Sequence, residues 1–317
     1  MTAEDAVALA VALRSAIDTG LVHALLAGAR TPEDHAQSLC LDPRATARVL
    51  DVLVAWRLAT REQHAVAASD ELRAWANAVP GGAELMLAVW SHTDQFLRTG
   101  RPYLRMDAGD RGSYAQFVGA LGRMTADAAR QLADRIAAPP DARILDIGCG
   151  SGVWSLALAE RLPGARVTGL DQLAVLDAFR ARARELGLGE RIATLAGDVH
   201  ELAIPREYDV VMIANVLRLE TPDRARAIVE RGAAAVRPGG ALVIVDALAA
   251  GTPERERARA SYALHLAMRT ERGQVYSPET VMAWMAAAGV SGCEQVPLDG
   301  PAAVGALVGR ASNANPC

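Results

Sequence analysis

The run Leu145-Asp146-Ile147-Gly148-Cys149-Gly150-Ser151-Gly152 decides how this chain is read. It ends the apolar stretch Arg143 to Ile147 and opens a helix-length segment at Val153, so it places a glycine-rich turn between a buried strand and a helix. Glycine allows positive φ in such a turn and lets a ligand approach the backbone, because no Cβ intervenes. Nicotinamide and flavin enzymes use a similar turn, and the details discriminate. The third glycine of a dinucleotide fingerprint would fall where Val153 stands, and a carboxylate two residues before the first glycine would repel a pyrophosphate. Asp146 occupies that place, where it suits the cationic amino group of a methionine moiety.

Outward from this turn, strand-like and helical segments alternate. Arg143 to Ile147, Arg166 to Leu170, Ile192 to Ala196, Val210 to Ala214 and Ala241 to Val245 read as buried parallel strands. Between them lie the helix-length segments Val153 to Arg161, Leu173 to Leu186 and Pro222 to Val236. A further helix, Ser277 to Ala288, and late strands near Cys293 to Val296 and Ala303 to Gly309 would complete a seven-stranded, doubly wound α/β sheet of Rossmann-like type. Asp171 ends the second strand, where a carboxylate can accept both hydroxyls of a ribose. Asp198 and Val199 follow the third, where they can hold the edge and face of a base. A single strand-end acid commonly just caps the next helix; three in succession beside a glycine turn describe a nucleoside site.

The N-terminal part is different. Ala6 to Thr19, Leu21 to Leu26, Thr31 to Leu39 and Asp42 to Trp56 read as helices, two of them announced by Thr31-Pro32 and Asp42-Pro43, a cap followed by proline at the first helical position. Leu58 to Ala68 has the alternation of a small hairpin, and the whole has the outline of a winged helix. Residues Met1 to Trp90 hold seven arginines against eleven acids, which argues against DNA and for a dimerisation role. Gly82 to Ile136 is again helical and rich in aromatic and polarizable side chains. Ala137-Ala138-Pro139-Pro140-Asp141 breaks it. The expected organisation is a dimerisation domain over 1–90, a helical connector over 91–140 that contributes to an acceptor pocket, and a cofactor-binding domain over 141–317.

Composition narrows the chemistry. All 33 basic residues are arginine, so no Schiff-base or phosphate-loop lysine exists, and a net charge of −4 offers no field for nucleic acid. Cys40, Cys149, Cys293 and Cys317 show no metal-binding or disulfide spacing, which suits a reducing cytoplasm and a metal-free site. The N-terminal residues lack the pattern of a secretory leader and no apolar run is long enough to span a membrane, so neither secretion nor insertion is expected.

These features together resemble the class I S-adenosylmethionine-dependent methyltransferases, and within them the two-domain small-molecule O-methyltransferases of plant and bacterial secondary metabolism. Gly20-Leu21-Val22, Leu41-Asp42-Pro43-Arg44 and Arg48-Val49-Leu50 resemble that family's dimerisation domain; Phe117 to Thr125 resembles its helix before the cofactor loop, and Val236-Arg237-Pro238-Gly239-Gly240 its turn before the fifth strand. The resemblance implies a homodimer, a small-molecule acceptor and S-adenosylmethionine as cofactor. It makes Gly148, Asp171, Asp198 and Val199 cofactor contacts, then Gly150, Asn215 and Gln172, with Asp146 and Gly152 completing the turn. Trp90, His92, Tyr114, Phe117, Met124 and Tyr262 are candidates to line the acceptor pocket.

The chain departs from the family at the base. The family's general-base histidine lies three residues after the position of Asn215, and here that residue is Arg218, which stays protonated. Of the two acids that flank such a histidine, Asp246 matches one, while the other falls near Val275 and is lost. Methyl transfer needs a base only when the acceptor attacks from a protonated group; Arg218 could instead hold an anionic acceptor. His265, which shares a helix face with Tyr262 and Arg269, and His92 are the alternative bases, each weighed against an ordinary packing role. Carbon or nitrogen methylation, a cofactor-retaining enzyme that transfers no methyl, and a winged-helix regulator remain as other readings.

Overall fold

A computed structural model describes residues 2–77, 82–107, 124–248, 250–299 and 303–312. Two compact units divide the chain, residues 1–91 and 92–317. Tyr114, Phe117 and Cys317 lie outside the described residues.

The first unit comprises α1 (Ala3–Asp18), α2 (Leu21–Ala27), α3 (Pro32–Ser38), α4 (Pro43–Ala55), the hairpin β1 (Ala59–Glu62) and β2 (Ala65–Ala68), α5 (Asp70–Ala76) and α6 (Gly82–Ser91). Its helix starts follow from the sequence. Thr31 Oγ1 accepts from the Asp34 N–H and Asp42 from the Ala45 N–H, and proline begins both helices. Leu21, Val22, Leu25, Leu50, Leu53, Val66 and Leu72 make the core. His35, fully buried, reaches the Val66 carbonyl at 3.0 Å and ties α3 to the hairpin.

The second unit begins with α7 (Thr93–Thr99) and α8 (Ala126–Arg135). It continues as β3 (Arg143–Ile147), α9 (Val153–Arg161), β4 (Arg166–Asp171), α10 (Leu173–Glu185), β5 (Ile192–Ala196), β6 (Tyr208–Ala214), α11 (Pro222–Ala235) and β7 (Val236–Asp246). It closes with α12 (Pro253–Ala267), α13 (Pro278–Ala287), β8 (Val290–Val296) and β9 (Gly305–Ala311). The sheet order is β5-β4-β3-β6-β7-β9-β8; β3 to β7 run parallel, and β9 is antiparallel to both β7 and β8.

Alternation along β6 shows how the sheet is covered. Val210, Met212 and Ala214 face the core shared with α8, α9 and α10, while Val211 and Ile213 face the core shared with α11 and α13. Two expectations need amendment. β5 is an edge strand and stays partly exposed rather than buried. The Val236 to Gly240 stretch, read as a turn before the fifth strand, already belongs to β7, with a register shift opposite Tyr208 and Val210. Among the described residues, no single helix is long and apolar enough to cross a membrane.

Candidate active site

The parallel order puts the carboxyl ends of β3, β4, β6 and β7 on one edge, and the site is built there. Gly148, Gly150 and Gly152 all have positive φ, at 68°, 55° and 71°. Gly152 also leaves no room for a side chain, since a Cβ there would meet the Phe179 ring at 2.5 Å. The turn is anchored to the neighbouring strand by the Gly148 and Cys149 N–H groups, which both donate to the Leu170 carbonyl.

Asp146 and Asp171 flank this turn in different states. Asp146 is buried; its Oδ2 accepts from the Ser155 hydroxyl, and its Oδ1 has no hydrogen-bond partner among the described residues. Burial pushes its pKa up to about 7, with the nearby Asp171 carboxylate adding to the rise and the Ser155 bond opposing it. A buried carboxylate oxygen without a donor is costly, and a cation would complete it. Asp171 accepts one backbone N–H on each oxygen, from Gly150 at 2.8 Å and from Gln172 at 2.7 Å. Burial raises its pKa despite those bonds. Each oxygen retains a lone pair for a further donor, which is what a ribose diol requires.

The rest of the expected nucleoside cradle lies nearby in the fold. Asp198 follows β5, its Oδ1 accepts from the His200 N–H at 2.8 Å, and Arg224 Nη2 lies 3.8 Å from its Oδ2. Val199 is buried beside Leu195 and Leu202 in the core of this face. Asn215 follows β6 at φ 63°, a left-handed conformation that non-glycine residues rarely adopt and that here sits at the edge of the site. Orphaned Asp146 Oδ1, the two-sided Asp171 carboxylate and the glycine turn fit S-adenosylmethionine, which carries an ammonium and a ribose diol.

Arg218 occupies the place of the missing base, and its charge is met internally. Its side chain is 9% exposed; Nη1 lies 3.3 Å from Asp246 Oδ1 and donates to Asn215 Oδ1, while its backbone N–H donates to Asp246 Oδ2. The guanidinium also lies over the Tyr262 ring, 5.3 Å from its centre. Tyr262 also lies close enough to Arg269 to act on its charge, and Arg269 Nε donates to the His265 carbonyl. Burial, aided by the Arg269 charge, holds the His265 imidazole down at about 3, so it stays neutral at ordinary pH and is a weak base.

Family comparison bears directly on this constellation. The family model described as a methyltransferase domain matches residues 144–240, the span from β3 through the start of β7. The chain is 26% identical over 309 residues to the tetracenomycin polyketide synthesis 8-O-methyl transferase of Streptomyces glaucescens, covering 92% of this chain and 90% of that protein. The chain is an S-adenosylmethionine-dependent methyltransferase. It is also 25% identical over 312 residues to the 3-hydroxy-5-methyl-1-naphthoate 3-O-methyltransferase of Streptomyces sahachiroi, over 94% of this chain and 90% of that one. In fold it matches a methyltransferase of calicheamicin biosynthesis solved with S-adenosylhomocysteine, at a TM-score of 0.72 and 22% identity, over 96% of this chain and 94% of that chain.

The remaining expected residues of this methyltransferase are dispersed. Trp90 belongs to the first unit, at the end of α6. His92 caps α7, bonds the Arg101 carbonyl at 3.0 Å and leans against Tyr103; Met124 is 43% exposed. Three residues escape a reading of the sequence alone. Ser155 lies on the inner face of α9, where only its spacing from Asp146 could hint at a bond. Arg224 reaches Asp198 from α11, and Arg269, read only as a neighbour of Tyr262 and His265 on one helix face, follows α12.

Proposed function

We propose that this methyltransferase methylates an oxygen of a small aromatic or polyketide-like acceptor, with Asp171 as the principal cofactor anchor. The observation that carries the reading is the pair of flanking carboxylates, one holding two backbone N–H groups with lone pairs to spare, the other buried with an unmatched oxygen. The two relatives named above act, by their names, on a tetracenomycin polyketide and on a hydroxynaphthoate, and they support oxygen as the acceptor atom.

When bound, the cofactor supplies a methyl on a sulfonium; the acceptor oxygen forms the new C–O bond as the C–S bond breaks and sulfur keeps the electron pair. The chain's part is to bind, orient and exclude water. Asp171 would hold the ribose, Asp146 the ammonium, Asp198 and Val199 the adenine, and Gly148, Gly150 and Gly152 give the backbone approach, with Gln172 and Asn215 at the rim. Among the described residues the expected bases are poorly placed for proton removal: Asp246 is bound to Arg218, His265 is a weak base, and a ring nitrogen of His92 is engaged with the Arg101 carbonyl. The acceptor is therefore one that ionises readily before transfer. A carbon acceptor made nucleophilic by such ionisation is the second reading, favoured by the same arginine in place of the base. His92, Met124 and Tyr262, all in the second unit, are offered as acceptor contacts, and a homodimer of this chain as the working assembly.

Calorimetric titration with S-adenosylhomocysteine tests the cofactor reading. Micromolar binding by the wild type, weakened about tenfold or more in Asp171→Ala, is expected for loss of one good polar contact. No detectable binding by the wild type would remove the reading. With an accepted substrate, a product heavier by one methyl and stable as an ether separates oxygen from carbon transfer.

A further inference from the structure

Most of the charged groups around Arg218 and the end of α12 are paired among the described residues. Arg218 faces Asp246 at 3.3 Å, Arg224 faces Glu220 at 2.7 Å, Arg105 faces Glu271 at 3.0 Å, and Arg272 faces Asp107 at 3.5 Å. Arg269 lies among these groups, and among the described residues it has no carboxylate within ion-pair distance. Its Nε donates to the His265 carbonyl at 3.2 Å, and Tyr262 stands near enough to act on its charge. Tyr262 is also the ring beneath the Arg218 guanidinium, so the two cations share one phenol between them.

The segment before the α12–α13 connection keeps Arg269 in place. Tyr103 and Leu104 N–H groups donate to the Met268 carbonyl, Met106 N–H to the Arg269 carbonyl, and Asp107 accepts from the Glu271 and Arg272 N–H groups. A guanidinium held by its own backbone in a desolvated setting, beside a second guanidinium, is unfavourable unless an anion completes it. Burial and the Arg218 charge accordingly pull its pKa below the usual arginine range, although arginine remains charged. Nε is used by the His265 carbonyl, and the planar Nη1/Nη2 fork matches a carboxylate.

We propose that Arg269 is the acceptor-binding cation of this enzyme and that its substrate class is an aromatic carboxylate. This deepens the methyl-transfer reading and rests on it only for the word acceptor. Arg218, which the sequence offers for the same task, is instead a positioning residue: Asp246 neutralises it, and it sets Asn215 and Tyr262.

The test titrates benzoate and its neutral isostere benzamide into the wild type, Arg269→Gln and Arg269→Lys, each with and without saturating S-adenosylhomocysteine. The wild type is expected to prefer benzoate by about tenfold, the effect of one charge-assisted contact. The preference should shrink to within about twofold in Arg269→Gln and survive in part in Arg269→Lys, with S-adenosylhomocysteine affinity unchanged. In the wild type, benzoate and not benzamide should also move the Arg269 Nε–H resonance in NMR, a readout that needs no variant to fold. Equal treatment of the two probes by the wild type, including binding of neither, overturns the proposal, as does an unmoved resonance or a preference that survives in Arg269→Gln. Failure to bind S-adenosylhomocysteine counts against the cofactor reading alone, since the probe titrations are read without it as well.

Discussion

Asp146 is a carboxylate that the fold buries and then leaves half satisfied, and its titration carries a measurable sign. Its folded pKa of about 7 lies above that of an unfolded aspartate, so the folded state holds the proton more tightly and the group's contribution to stability falls as pH rises from about 4 to about 7. Asp146→Asn should abolish that loss. The stability of the wild type relative to the variant should decline across this window by about 4 kcal/mol at most, read from chemical denaturation at several pH values. His265 works in the opposite direction, because its pKa is depressed to about 3, so stability is lost as pH falls below its unfolded value. The difference between wild type and variant isolates Asp146 from that background. Cofactor binding supplies the second measurement: a cation beside Oδ1 lowers the pKa, so binding near neutral pH should release protons, seen as a dependence of calorimetric enthalpy on buffer, and Asp146→Asn should not. At this scale the sequence speaks clearly where a residue's role follows from its place on the chain. The positions of Asp146, Asp171 and Asp198 were legible because each stands at or next to the end of a strand. The neighbourhood of Arg218 and Asp246 came only from the family resemblance, since the two lie 28 residues apart and meet through the pairing of β6 with β7. Arg269 was legible only as a neighbour on a helix face, its lack of a carboxylate partner among the described residues being a property of everything around it.

Elements show the same division between local cause and tertiary cause. The starts of α3 and α4 were legible to the residue because cap, proline and first turn are chemically local, and Asp42→Ala should destabilise the chain by about 1 kcal/mol through the lost bond to the Ala45 N–H. The late strands were legible as strands, but the place of β9 between β7 and β8 comes from pairing and not from pattern. The glycine turn unites both causes. Gly152 needs its left-handed backbone, and its missing Cβ is also where the Phe179 ring of α10 packs. Gly152→Ala should therefore cost about 2–4 kcal/mol, from overpacking together with an unfavourable φ. Adding Phe179→Leu should recover part of the overpacking and none of the backbone cost, so the double variant should be more stable than the sum of the singles. Strict additivity in denaturation would mean that α10 moves aside without strain.

At the level of the whole molecule, the first unit presents an unfinished surface. Val7 and Val11, four residues apart on one face of α1, are 63% and 57% exposed, although the unit has a complete core of its own beneath α2, α4 and the hairpin. Side chains at that spacing stand one above the other, and a helix in a soluble unit ordinarily turns such a stripe inward. Eleven acids against seven arginines over residues 1–90 leave nucleic acid a poor occupant, while a second copy of the same helix is apolar and self-complementary about a twofold axis. Sedimentation velocity at micromolar concentration should give a dimer for the wild type. Val7→Glu with Val11→Glu should shift it to monomer, because two buried like charges would face their symmetry mates, while S-adenosylhomocysteine affinity should hold, since the carboxylates of the cofactor site all lie in the second unit. A wild type that sediments as a monomer, or a double variant that remains a dimer, would place the association surface elsewhere or remove it.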